Sequence, residues 1–468
     1  MSDQTAFIIL FLFSAVWIFL GWFWGRKNRD LDDYVLAGRK VGLSLGIATA
    51  MATWVTSNTT LVAPQLAYQM GIWGMIGYSF GSVGLILFAP MAERIRKLMP
   101  NGYTSGDFIR LRYGKTAWRV FLLISIIYGA GWLVSLSMAG GILVEALSGI
   151  SYQTGMTVIL FVCVAYTLLG GLKAVIGTDF IQTIIILAGI GSLGFLLLDH
   201  ITFQGIHSSL TETRPQLLNL LMPAAIMFLF NNVLFGMGEI FHSNVWWSRA
   251  FAFADGVGFK AYLYAGLFWI PVPIAAGFIA LAAPALGINV PRADMVAPLV
   301  ASALLGKTGS ILVFIVIFSA LASSLDSLLA ATSDLIVEDI YRRHFRPNAE
   351  LKDLKRAAFY SILILGMATW LVSLPRISDL ASILHFTGAL VASTIWPIAA
   401  GLYWKDVSVQ SATPAMIIGS LAGLVAYFMI GFYVAALTGA AFSMVTVLVM
   451  TKISPSRFDW KLLNEEHP

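Results

Sequence analysis

Charge is what this chain has least of. Only 11% of its 468 residues are Asp, Glu, Lys or Arg, while 58% are hydrophobic; a soluble domain carries roughly 25% charged residues. The net charge of +5 sits in short loops between apolar runs, so it is not the footprint of a nucleic-acid binder. A single cysteine, Cys163, excludes an intramolecular disulfide and a cysteine-cluster metal site. It reads as a packed thiol in VILFVCVAYTLL. No His/Glu metal motif, phosphate loop or nucleophile elbow occurs, so no enzyme is expected. The alternating segments of about 10 residues that mark a membrane β-barrel are missing too.

What is present is apolar length. A membrane-crossing helix needs about 20 apolar residues, and the chain supplies about 13 such runs, the first at 5–25 and the last two within 412–451. The first, TAFIILFLFSAVWIFLGWFWG, is too long for a signal-peptide core and lacks a small-residue cleavage site, so it reads as a retained helix. With the N-terminus outside and the C-terminus inside, all of the 29 Lys and Arg except Arg214, Arg292, Lys307 and Arg376 fall in inner loops, as the positive-inside rule requires. The expectation is one all-α polytopic membrane domain over 1–468, in an inner membrane, with the lipid bilayer as its main partner and no linker or soluble domain.

Polarity inside these runs carries the functional signal. The second reads LSLGIATAMATWVTSNTTLVAPQLAY. Residues 53–60 are mostly polar or β-branched and Pro64 follows, which predicts local unwinding. Unwound backbone at membrane depth is tolerated only where it lines a cavity or is buried in protein, and its freed carbonyls can hold a cation. Five runs later, FLFNNVLFGMGEIFHSNVWWSRAFA repeats the feature: Asn231, Asn232, Gly236 and Gly238 predict a weakened helix, with Glu239 and His242 beside it. Interrupted helices at matching places in two halves point to an inverted-repeat transporter, with repeats over 42–199 and 217–403.

In the ninth run, SSLDSLLAATSD places Ser323, Asp326 and Ser327 at i, i+3 and i+4, on one helix face. Hydroxyls and a carboxylate on one stripe suit a small hard cation; plain helix-to-helix packing through the serines is the alternative. Asp179, in VIGTDFIQTI, is the other carboxylate in an apolar setting. Asp334 and Asp339, near the basic end, suit structural or capping roles.

Four stretches in order resemble the sodium/solute symporter family: the broken second run, GYTSGDFIRLRYG (102–114), GGLKAVIGTDFIQ (170–182) and SSLDSLLAATSDLIVEDIY (323–341). The resemblance implies a LeuT-type five-plus-five inverted repeat, one leading helix, two trailing helices and sodium-coupled uptake by alternating access. It places the main sodium site at the carbonyls of Ala52, Val55 and Ala320 and the hydroxyls of Ser323 and Ser324. A second cation site, known in some members, maps onto Asp179, Ser323, Asp326 and Ser327. Asp326 departs from the family pattern, which has a small polar residue there, so a second sodium, a proton or tuning of the first site all stay open.

Ala67, Tyr68 and Gly71, with Gly238, Phe241, Trp247, Arg249, Ala250 and Ala252, look most like the urea/polyamine branch and read as framework. Substrate candidates by position are Trp54, Asn58, Tyr128, Trp132, Asn232, Glu239, His242 and His385, which suit a small polar, nitrogen-containing solute. Sodium is the expected coupling ion and no organic cofactor is expected. The rival readings are a proton-coupled amino-acid transporter and a transporter-like membrane sensor that signals through a partner protein.

Overall fold

The computed structural model describes residues 2–25, 36–198 and 202–464. Arg26, Lys27 and Arg29 of the first basic loop, and Asp199 at the end of the sixth expected run, lie outside the described residues. The described chain is helical throughout apart from connections and one isolated bridge, Val41 to Phe253. Among the described residues, eleven helices are long and apolar enough to cross a membrane, and two shorter apolar helices, Leu43–Trp54 and Tyr152–Leu168, fall at the second and fifth expected runs.

The helices that position the site are α1 (Asp3–Gly25), α2 (Leu43–Trp54), α3 (Ser57–Met70), α4 (Ile72–Ser79), α5 (Val83–Leu98), α6 (Ser105–Leu147) and α7 (Tyr152–Leu198). After α8 (Phe203–Thr213) come α9 (Pro223–His242), α10 (Asn244–Ala252), α11 (Gly258–Trp269), α12 (Pro271–Leu281) and α13 (Val296–Asp334), which runs on as a π-helix over Leu335–Phe345. The remaining helices are α14 (Leu351–Ser373), α15 (Leu380–Val391), α16 (Ile395–Tyr403), α17 (Ala412–Met429) and α18 (Phe432–Ile453). Helix α13 forms the axis, packed against α6, α7 and α3, while α1 and the pair α17 and α18 lie outside. Phe11, Phe428 and Met429 on these outer helices are 73%, 74% and 80% exposed, as a lipid-facing surface requires.

The second run is broken, over less chain than its composition suggests. The α2 helix ends at Trp54, Val55 leaves helical geometry (ψ 76°) and Thr56 is extended, but Ser57 already opens α3. The tight restart comes from a reciprocal cap. The Thr59 amide donates to Thr56 Oγ1 (3.1 Å), and the Thr56 amide donates to Thr59 Oγ1 (3.2 Å). The side chains that weaken the helix before the break therefore start the helix after it.

The seventh run breaks elsewhere than expected. Helix α9 is continuous through Asn231, Asn232, Gly236 and Gly238, and the chain turns extended only at Ser243. The asparagines do not compete for their own backbone because neighbouring helices take their side chains. Asn232 Nδ2 donates to the Gly77 and Tyr78 carbonyls (2.9 and 3.0 Å), and Asn231 Oδ1 accepts from the Ala436 and Leu437 amides (2.9 and 3.1 Å). Gly236 is there for close approach, since a Cβ would stand 2.3 Å from the Gly81 carbonyl oxygen.

The 102–114 motif forms a clamp at the basic end. Thr104 and Asp107 make a reciprocal cap on α6, and Thr104 Oγ1 and Trp118 Nε1 donate to Asp339 (2.7 and 2.9 Å). Asp107 also pairs with Arg343. The buried Arg112 donates to the carbonyls of Gly401 (3.3 Å) and Val407 (3.1 Å). The motif thus ties α6 to the end of α13 and to the chain after α16.

Candidate functional site

Two polar clusters meet at the end of α2. The first lies between α2 and α13. Ser324 Oγ donates to the Ala320 carbonyl one turn back (2.9 Å) and lies 3.2 Å from the Thr53 carbonyl at the end of α2. Ala52, Val55, Ala320, Ser323 and Ser324 are each no more than 1% exposed. The break thus faces the serine-bearing stretch of α13, and an oxygen-lined seam runs between them. Ser323 turns to α7, where its Oγ donates to Asp179 Oδ1 (2.5 Å). Among the described residues, no group of three His, Cys, Asp or Glu side chains gathers to hold a transition metal, whereas hydroxyl and carbonyl oxygens are ligands for hard cations.

The set read as a second cation site is divided by the structure, and its centre holds an arginine. The guanidinium of Arg249, on α10, is completely buried. Its Nη2 lies 2.6 Å from Thr53 Oγ1, 2.8 Å from Ser327 Oγ and 3.3 Å from Asp179 Oδ2. Nε donates to Thr49 Oγ1 (3.0 Å), which itself donates to Asp179 Oδ2 (2.6 Å), and Nη1 donates to the Val245 carbonyl (3.0 Å). One side chain thereby joins α2, α7, α10 and α13. Asp326, on the same stretch of α13, lies within electrostatic reach of Asp179 and Arg249 but has no ion pair or hydrogen bond with either among the described residues. Its Oδ1 accepts from the Ser327 amide (2.5 Å). Tyr166 and Cys163 of α7 are its neighbours, and the Tyr166 hydroxyl donates to the Ala322 carbonyl (2.6 Å).

Arg249, a framework position by its sequence, proves to be the cation that meets Asp179. The signal was present: an arginine in an apolar helix needs an anion, as a buried carboxylate needs a cation.

The second cluster lies on the other side of Trp54. Trp54 Nε1 donates to Glu239 Oε1 on α9 (3.2 Å). Its indole stacks on Trp269 (4.6 Å between centroids, 19° between planes) and meets the edge of Trp246 at 5.9 Å. Tyr128, on α6, lies edge-on to His242 at 4.6 Å and touches Trp132 at 5.5 Å. The Tyr128 hydroxyl faces the Glu239 carboxyl group, and three polar atoms here are buried without partners among the described residues: His242 Nε2, Trp246 Nε1 and Asn58 Nδ2. The Oδ1 atom of Asn58 accepts from Ser135 (3.1 Å), and His242 Nδ1 lies 2.7 Å from the Gly238 carbonyl, which leaves Nε2 as the free acceptor.

Of the expected substrate set, Trp54, Tyr128, Trp132, Glu239 and His242 come together, with Asn58 on the adjoining turn. Asn232 and His385 do not join them. They face each other (3.2 Å), and the imidazole of His385 packs among Phe228, Phe235 and Phe432 at 5.1–5.4 Å. Trp246 and Trp269 belong to the cluster but were not anticipated, because a tryptophan in a membrane protein is as easily an interfacial anchor.

Known proteins share this architecture. The chain is 27% identical over 462 residues to "Urea-proton symporter DUR3" of Oryza sativa, covering 90% of this chain and 63% of that one. It is 26% identical to "Osmoregulated proline transporter OpuE" of Bacillus subtilis, covering 89% and 88%. It spans about three fifths of the length of the rice protein and of the "Urea active transporter" of Saccharomyces cerevisiae, 63% and 60%. A Na+-coupled sialic acid symporter solved in a substrate-bound outward-open state superposes with a TM-score of 0.80 over 97% of this chain and 99% of that one, at 17% identity. The fold is therefore the LeuT-type bundle. The family model described as "Sodium:solute symporter family" matches residues 34–419, and the chain belongs to that family.

Proposed function

We propose that this protein is a symporter that uses sodium entry to import a small polar, nitrogen-containing solute by alternating access. The observation that carries the reading is the seam where Ser324 of α13 meets the Thr53 carbonyl at the end of α2. Sodium in that seam, held by the carbonyls of Ala52, Val55 and Ala320 and the hydroxyls of Ser323 and Ser324, ties the broken helix to α13. Solute binds on the far side of Trp54. The same tryptophan thus bounds both sites, and filling one site biases the geometry of the other. The repeats, 42–199 and 217–403, then rock around the two breaks, with 5–25 leading and 412–451 trailing. No chemical conversion of the solute is needed.

One charge crossing 100 mV supplies about 2.3 kcal/mol. That sustains roughly a 50-fold solute gradient before any sodium concentration difference is added, since 1.4 kcal/mol is about tenfold. In this reading the protein sits in an inner membrane with its N-terminus outside and C-terminus inside, an orientation that the asymmetry of its loop charges favours.

The test is uptake into proteoliposomes with urea, amino acids and amines as solutes, under an imposed sodium gradient or an imposed pH gradient. Uptake that follows the sodium gradient and weakens in Ser323→Ala and Ser324→Ala is the expected result. Uptake that follows only the pH gradient would replace sodium with a proton, the ion printed in the name of the rice relative.

A further inference from the structure

Glu239 is a buried carboxyl group for which no cation is provided among the described residues. It is 3% exposed, and the groups that reach it are neutral donors, Trp54 Nε1 at 3.2 Å and the Tyr128 hydroxyl. The contrast with its surroundings is chemical. Arg249, Arg292, Arg342, Arg343 and Arg376 each pair with a carboxylate, but none pairs with Glu239. An isolated carboxylate away from water costs several kcal/mol unless it is paired or neutralised. An aromatic face of Trp or Tyr attracts a cation electrostatically, more strongly when water is excluded. Around Glu239 both features occur together, with Trp54 and Tyr128 beside the carboxyl group and Trp246 packed against Trp54.

Two further features point the same way. Trp54 is the last residue of α2 and Glu239 lies in the last turn of α9, so the site sits at two helix C-terminal ends, where positive charge is favoured. The helix starts that follow are capped by Thr56 and Ser243 side chains. His242 Nε2, with no partner, presents a lone pair rather than a donor, because Nδ1 is turned to the Gly238 carbonyl. Glu239 and His242 are both acceptors, and they suit a ligand rich in N–H groups.

We infer that the transported solute is a small organic cation, an ammonium or guanidinium compound, whose charge is met by Glu239 and whose body lies against the Trp54, Trp246 and Tyr128 rings. This rests on the transporter reading above and narrows its solute. It favours amines and guanidines over urea, and over amino acids, whose carboxylate would face Glu239.

The test compares isosteres that differ in charge. Purified protein in detergent is titrated with methylguanidine or methylurea, in sodium or in potassium buffer, and thermal unfolding is followed; putrescine serves as a second cation. The inference expects methylguanidine or putrescine to raise the unfolding temperature at concentrations at least about tenfold below any effect of methylurea. It also expects Glu239→Gln to remove that preference while Glu239→Asp keeps part of it. If Glu239→Gln does not fold, the wild-type preference alone decides. Equal or tighter binding of methylurea overturns the inference, and so does a cation preference that survives Glu239→Gln or the failure of both cations to bind folded protein. Cation binding that is the same in sodium and potassium keeps the solute class and removes sodium coupling, so the two readings fail separately.

Discussion

Asp179 and Glu239 are both buried carboxyl groups, and both meet side chains from α2, yet the protein treats them differently. Asp179 receives Arg249, Thr49 and Ser323 and is fully supplied with donors. Glu239 meets only neutral donors, the Trp54 indole and the Tyr128 hydroxyl, with no cation among the described residues, and lies beside aromatic rings and unpartnered polar atoms. A satisfied group of this kind fixes structure, while a group left short of donors is held open for something that arrives. The difference separates a permanent fastener from a binding site, although sequence alone gives both residues the same appearance: an acid in an apolar run.

The largest effect is expected from breaking the fastener. Arg249→Ala leaves Asp179 buried without its cation, a loss on the order of 3–5 kcal/mol. It should abolish uptake and lower the unfolding temperature; Asp179→Asn combined with Arg249→Gln should recover part of the stability because neither charge is then stranded. Recovery of stability without recovery of uptake would give the pair a role in the transport cycle as well.

A smaller effect belongs to the open side. Trp54→Phe keeps a ring for Trp269 but removes the indole hydrogen bond to Glu239. A hydrogen bond to a charged group contributes about 1.5–3 kcal/mol, so the KM for solute should rise about tenfold or more, while the sodium dependence moves less. Comparable shifts in both would place the ring in the sodium site itself.

The smallest effect lies outside the membrane segments, where Asp379 caps α15. Burial acts to raise its pKa, but Ser382, through its hydroxyl and amide, and Gln65 donate to it and hold it below the usual carboxylate range. A depressed value gives stability that is present above the unfolded carboxylate range, near 3.9, and is lost as pH falls through the folded value. Asp379→Ala should therefore cost about 1 kcal/mol near neutral pH, and the difference from wild type should shrink on acidification, as thermal unfolding at several pH values would reveal.

Much of the architecture was legible in the sequence because lipid imposes a length and loop charge imposes a direction. The α2 break could be read from Thr56 and Thr59, whose side chains prefer the backbone to the helix. The α9 break could not be placed. Asn231 and Asn232 look like helix breakers until α18 and the end of α4 are seen to occupy their side chains, and those contacts are some 150 to 200 residues distant in the chain. The serine stripe on α13 was visible as a periodicity, but which serine faces α2 and which faces α7 depends on the rotation of α13 between them. Ser324 reaches Thr53, and Ser323 reaches Asp179. Arg249 illustrates the same limit: a charge is visible in sequence, its partner only in space.

The most direct measurement is the unfolding temperature of the solute-free protein as sodium replaces potassium at constant ionic strength, in wild type and in Ser324→Ala. A ligand that binds only the folded state stabilises by about 2.7 kcal/mol at 100 times its dissociation constant. The account predicts a saturable rise with sodium in wild type and, in Ser324→Ala, the same rise displaced to at least about tenfold higher sodium, or its loss. Identical unfolding in sodium and potassium, or an unchanged sodium response in Ser324→Ala, would contradict it.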